Sequence, residues 1–256
     1  MELVSDGLRL EAHLARPQAS AAGGARSRAG LLIAHPFPEP AQGGPRGWST
    51  YPELADRVAN DVGWVCMTAA LRGVGASEGD FSLGGWLRDL RAALGALLAE
   101  PDVAGAWLCG FGLGGSLALC LAATDSRVLG VASFAAPADV EDWAADPRRF
   151  LEQARATGVV RDPGFPADFD RWANELRDVR PLRLIHRIPP RPLLIVHGSE
   201  DDKVPMVDAR ALLDAADGQG DLRVVTSAGH QLRHDPRAIA MLLGWLDREV
   251  TPSGEA

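Results

Sequence analysis

Four short segments carry the residue types that proton transfer and nucleophilic attack use. They are "AHPFP" (34–38), "GFGLGG" (110–115), "HGSEDDKVP" (197–205) and "SAGH" (227–230). Between them they hold His35, His197 and His230 and the carboxylates Glu200, Asp201 and Asp202. Imidazoles and carboxylates are the side chains of general acid–base catalysis. The second segment is one letter from "GFSLGG", a strained strand-to-helix turn that lifts a serine hydroxyl into a site. Gly112 stands where that serine would. Glycine cannot form an acyl-enzyme, and in a serine protease loss of the nucleophile costs on the order of a millionfold in kcat.

The elements around these segments read as alternating strands and helices. A short hairpin over 2–5 and 8–15 is followed by a glycine-rich loop over 17–30. Compact apolar runs predict buried strands at 31–35, 64–71, 105–111, 128–137 and 191–198, with a last strand at 221–229. Amphipathic or capped stretches predict helices at 49–61, 83–100, 114–124 and 236–248, and 251–256 reads as a frayed tail. Such alternation implies an α/β fold with a mostly parallel sheet covered by helices on both faces. Each of the four segments ends a strand, and in open α/β sheets ligands bind beyond the carboxyl ends of the strands. Residues 138–190 break the rhythm. They hold Trp143, Phe150, Phe165, Phe169 and Trp172 between polar helical pieces, which reads either as a helical cap over the site or as a surface subdomain. The domain reading is a core of 1–137 and 191–250 with 138–190 as a cap insertion, its aromatics Trp143, Phe150 or Trp172 forming part of the site wall.

With 256 residues, the chain is long enough for one large domain. A formal net charge of −8 argues against non-specific binding to nucleic acid or anionic membranes. Cys66, Cys109 and Cys120 fit no zinc spacing and read as buried free thiols in a reducing compartment. No signal peptide and no membrane-length apolar run are visible, so a cytoplasmic location is expected, with no metal and no cofactor.

Taken in order, the motifs resemble the α/β-hydrolase fold superfamily over nearly the whole chain. "RGVGASEGDF" (72–81) is similar to the "RGxGxSxGxF" loop of bacterial serine esterases and acyl-peptidases, and "HGSEDDKVP" to their "HGxxDxxVP" acid loop. "AGH" is similar to their terminal histidine motif. The resemblance implies an acid at Asp201, a base at His230 and Gly112 at the nucleophile position, in the chain order this fold uses. It also implies an oxyanion hole from the backbone N–H groups of Phe37 and Leu113. Pro36 departs from the common "HG" of the loop, and Ala70 stands where relatives often carry an aspartate.

Other readings compete at single residues. Glu200 or Asp202 could replace Asp201 as the partner of His230. His35 and His197 read as structural, while His13, His186 and His234 have no supporting pattern, although His234 is close enough in sequence to face the same edge. As displaced nucleophiles, Ser116 would lie roughly 5–6 Å further along its helix, Cys109 would be buried in a strand, and Ser77 would brace its glycine-rich loop.

Two function classes follow. One is an enzyme, a hydrolase or lyase in which His230 acts as general base without a serine. The other is a catalytically silent protein that keeps the pocket for a small apolar or acyl ligand. A serine esterase inactivated by an engineered serine-to-glycine change is a third explanation of Gly112.

Overall fold

The structure, a computed structural model, describes residues 1–18, 28–39 and 44–250. Most of the loop expected at 17–30 and the tail at 251–256 lie outside the described residues. One eight-stranded sheet organises the chain, in the order β1-β2-β4-β3-β5-β6-β7-β8. Its strands are β1 (Glu2–Ser5), β2 (Leu8–Ala15), β3 (Arg28–Ala34), β4 (Val65–Ala69), β5 (Val103–Phe111), β6 (Val128–Phe134), β7 (Leu193–Gly198) and β8 (Asp221–Val225). β2 pairs antiparallel with β1 and β4, and every other pairing is parallel.

The parallel strands are apolar because helices cover both faces, leaving no solvated side for polar alternation. All of β4 and β7 is buried, as is β3 from Gly30 onward. The flanking helices are α1 (Thr50–Val62), α2 (Leu83–Leu98), α3 (Leu113–Thr124), α8 (Met206–Ala215) and α9 (Pro236–Val250). Between β6 and β7 lie α4 (Glu141–Ala145), α5 (Pro147–Thr157), α6 (Phe169–Glu175) and α7 (Pro181–Leu184).

Two strand ends fall short of the expected ones, and one helix was not expected. β6 stops at Phe134, where Ala135 turns the chain with φ of 48°. β8 stops at Val225, ahead of a turn in which Ser227 has φ of 55°. α8 was not anticipated, because only Ala209 and Leu212 of its ten residues are buried, too narrow a stripe to read as periodicity.

From β3 the chain steps outward to β4, then returns across β3 to β5 and continues outward on the other side. That reversal makes the carboxyl ends of β3 and β5 a topological switch point, the place where open α/β sheets form ligand crevices.

α2 holds the loop after β4 against this point. Arg72 gives Nε and Nη2 to the two oxygens of Asp89 at 3.0 and 2.6 Å, and its backbone N–H donates to the same carboxylate. Asp89 is fully buried, so this charge is held only by its arginine and backbone partners. Trp86 donates from Nε1 to Arg72 O at 2.9 Å and packs edge-on against His35 with ring centroids 5.0 Å apart. α2 starts at Ser82, whose hydroxyl accepts from Gly85 N at 3.1 Å. Ser82→Ala removes that cap and is expected to destabilise the chain by about 1 kcal/mol, lowering the thermal midpoint by about 2–4 °C. A midpoint unchanged in calorimetry would show that the cap contributes nothing to stability.

Candidate active site

The turn from β5 into α3 is built on glycines for two separate reasons. Gly112 has φ of 51° and ψ of −126°, a conformation that strains any L side chain. Gly114 sits so close to the end of β3 that a Cβ there would lie 2.3 Å from His35 O. The turn therefore presses α3 onto the loop that follows β3. α3 begins at Leu113, so the Leu113 N–H belongs to the first helical turn, whose donors have no intrahelical acceptor.

His230 faces this turn. A Cβ at position 112 would lie 3.6 Å from His230 Nε2. On the far side of the ring, Nδ1 is 2.9 Å from Asp201 Oδ2. The other oxygen of Asp201 accepts the backbone N–H groups of Lys203 and Val204, each at 2.9 Å. The Asp201 side chain is fully buried and that of His230 is 17 % exposed. Burial alone would raise the Asp201 pKa, but the hydrogen bonds from His230, Val204 and Lys203 outweigh it and hold the carboxyl below its ordinary value. The carboxylate fixes His230 with Nδ1 as donor, which leaves Nε2 as an acceptor facing position 112. Asp201 thus fills the place for which Glu200 and Asp202 were alternatives, and both of those are exposed.

His197 is buried, and its Nε2 donates to Val204 O at 2.9 Å, bracing the loop that carries Asp201. His35 is buried as well. Its Nδ1 donates to Pro36 O at 2.8 Å and its Nε2 accepts Leu71 N–H at 3.1 Å. Burial pushes this imidazole down to about 4, so it is neutral at pH 7 and shapes the loop rather than moving protons. His13 pairs with Asp56 at the surface, and His186 is exposed.

The other candidate nucleophiles are committed elsewhere. Ser116 donates its hydroxyl to Pro137 O and Ser77 to Ala70 O, both at 2.6 Å. Cys109 is buried in β5, which pushes its thiol pKa up. None of the three lines the cavity described next.

A cavity of about 380 Å³ opens in front of Gly112 and His230. Its walls come from the loop after β3 (Pro36, Phe37), a short 3-10 turn at Gly44–Ser49 with the start of α1 (Arg46, Trp48, Tyr51), and the segment after His230 (Leu232, Arg233, His234). The expectation that Trp143, Phe150 or Trp172 would form this wall is corrected: none of them lines it. Instead Trp143 stacks on Phe150 at 4.1 Å and Phe150 on Trp172 at 5.9 Å. Phe37 lies 5.3 Å from Trp143, 5.6 Å from Phe150 and 5.1 Å from Phe81. The aromatic segment therefore stands behind Phe37 and acts on the cavity through it. Apolar aromatic rings gain most from mutual burial, and this cluster supplied a nearer partner than the cavity mouth.

Sequence reasoning missed Arg46, Trp48, Tyr51 and Arg233 as wall residues. Only Arg233 had a local signal, its position three residues after His230. Among the described residues, no group of three or more His, Cys, Asp or Glu side chains is placed to hold a metal ion. Nor is any helix among them long and apolar enough to cross a membrane.

A mostly parallel eight-stranded sheet with helices on both faces, a strained glycine turn after β5 and a site at the strand ends define an α/β-hydrolase fold. A family model described as "Alpha/beta hydrolase family" matches residues 31–242, well over half of the chain, and the chain belongs to that family. Est1E from Butyrivibrio proteoclasticus, solved with ferulic acid bound, superposes with a TM-score of 0.71 at 19% identity, covering 98% of this chain and 97% of its own. The esterase domain of a Rhodothermus marinus protein gives 0.68 at 22% identity, with coverages of 98% and 96%. The α/β hydrolase GrgF from Penicillium sp. sh18 gives 0.69 at 20%, covering 97% of each chain. At these identities the likeness is one of fold. No curated protein matches the chain.

Proposed function

We propose that the cavity is a substrate site in which His230, aligned by Asp201, serves as general base without a covalent acyl step. The base acts on a bound water in a hydrolysis or on a substrate proton in a lyase reaction. The observation that carries this reading is the buried Asp201–His230 contact at 2.9 Å with Nε2 turned toward position 112. In this reading the N–H groups of Phe37 and Leu113 stabilise negative charge that develops on a carbonyl oxygen. Such donors need no serine. Family membership and esterase-named structural neighbours support a small ester or acyl compound as substrate.

A panel of activated esters and thioesters tests the proposal. Turnover is expected without a pre-steady-state burst and without labelling by a fluorophosphonate, and it should fall about a hundredfold or more in His230→Ala, the range general bases contribute. Labelling of the unmodified chain at Ser77, Ser116 or a cysteine would reveal a displaced nucleophile instead. Binding without turnover, insensitive to His230→Ala, would make the chain a silent binding protein.

A further inference from the structure

Arg233 is an unusual side chain for its surroundings. It is partly sheltered from water on the wall of the cavity, and desolvation holds its pKa below the ordinary arginine value. Among the described residues it makes no ion pair. Its guanidinium instead lies 5.0 Å over the ring of Tyr51. Glu53, on the exposed side of α1, attracts it only through space. A second arginine, Arg46 of the 3-10 turn, lines the same cavity and also makes no ion pair among the described residues. His230 and His234 add two imidazoles. The acid on this wall is Glu39, which lies 3.9 Å from Lys203.

What sets Arg233 apart is that it lies half-buried on a cavity wall, over an aromatic ring and without a carboxylate partner among the described residues. Holding a guanidinium away from carboxylates and partly away from water has a desolvation cost, which a cation–π contact offsets only in part. An incoming oxyanion would offset the rest, and the planar fork of arginine matches carboxylate and phosphate oxygens in two parallel hydrogen bonds.

We infer that the cavity selects ligands carrying an anionic oxygen group, a carboxylate or a phosphate, which Arg233 seats with help from Arg46 while the reacting group lies toward His230. This rests on the reading of the cavity as a substrate site and narrows the acyl or apolar compounds named there to acidic ones. Arg233 is then a specificity-determining residue whose place over Tyr51 fixes where the charge must sit.

Calorimetric titration of the full chain tests this with probes that contain no carboxylic ester or thioester: N-benzylglutaramate, N-benzylpentanamide as its neutral counterpart, and benzyl phosphate. At least one anionic probe is expected to bind about tenfold or more tightly than the neutral amide, with a preference that shrinks as salt is added. The stronger of the two anions identifies the group as carboxylate or phosphate. Arg233→Gln should abolish the preference, Arg233→Lys should keep part of it, and Arg46→Gln, an exposed change that leaves folding intact, should reduce it. Equal binding of acid and neutral probes, or a preference intact in the Arg46→Gln/Arg233→Gln double variant, would overturn the inference and leave the substrate-site reading standing. Binding of none of the probes would overturn both.

Discussion

Acidification from pH 6.5 to 4 is expected to remove about 3 kcal/mol of folding stability through a single side chain, His35. In the folded chain burial holds this imidazole neutral down to about 4, against 6.5 for an ordinary histidine. The unfolded chain therefore binds the proton first. The stabilisation is complete above 6.5, declines as the pH falls through the window, and changes no further below 4, where both states are protonated. Protonation has a structural cost because Nε2 already accepts the Leu71 N–H and has no room for a proton of its own. The carboxylates with lowered pKa, Asp201 among them, lose their contribution only at lower pH, so they do not mask the effect. His234, whose pKa is lowered by burial and by Arg233, acts in the same direction, more weakly for being largely exposed. Urea denaturation in half-unit pH steps from 7.5 to 4.5 measures the slope. His35→Gln should be less stable at pH 7 but should lose most of that slope. An unchanged slope in the variant would place the proton uptake elsewhere.

The same residue shows what was legible in the sequence. "LLIAH" reads as a buried strand because a parallel strand covered on both faces has no reason to alternate, and His35 reads as a loop-shaping histidine because it opens the loop at that strand's end. Gly112, Asp201 and His230 were legible for a related reason: each lies in the loop or turn just past the carboxyl end of a parallel strand, and a parallel sheet delivers those ends to one edge. The cavity wall was not legible. Residues 44–48 carry no pattern that points to a site, Tyr51 reads only as part of a helix, and it takes tertiary packing to set Arg233 over Tyr51. Nor could the sequence tell which apolar surface the aromatics of 138–190 would choose. An amphipathic helix fixes which of its faces is buried but not against what, and here Phe37, Phe81 and Trp86 already formed an aromatic surface behind the loop.

Gly112→Ser is expected to create a phosphonate-reactive site where the unmodified chain has none, at a measurable loss of stability. With φ of 51° and ψ of −126° at position 112, the strain of any L residue there is on the order of 1–3 kcal/mol. The new Cβ would meet Pro36 Cβ at 3.0 Å, so the loop after β3 must yield by a few tenths of an ångström. The same Cβ lies 3.6 Å from His230 Nε2, which brings a hydroxyl on it within hydrogen-bond reach of the base. Since Asp201 already orients that base, the substitution completes a serine–histidine–aspartate arrangement. Mass spectrometry after fluorophosphonate treatment should find the adduct at position 112, and His230→Ala in the same background should lose it. Pro36→Gly, which removes the crowding Cβ, should make the Gly112→Ser penalty smaller than it is beside proline, a coupling that a double-mutant cycle reads directly. A folded Gly112→Ser protein that takes no label would mean that His230 does not activate a nucleophile at this turn, and the silent binding protein would become the better account of the chain.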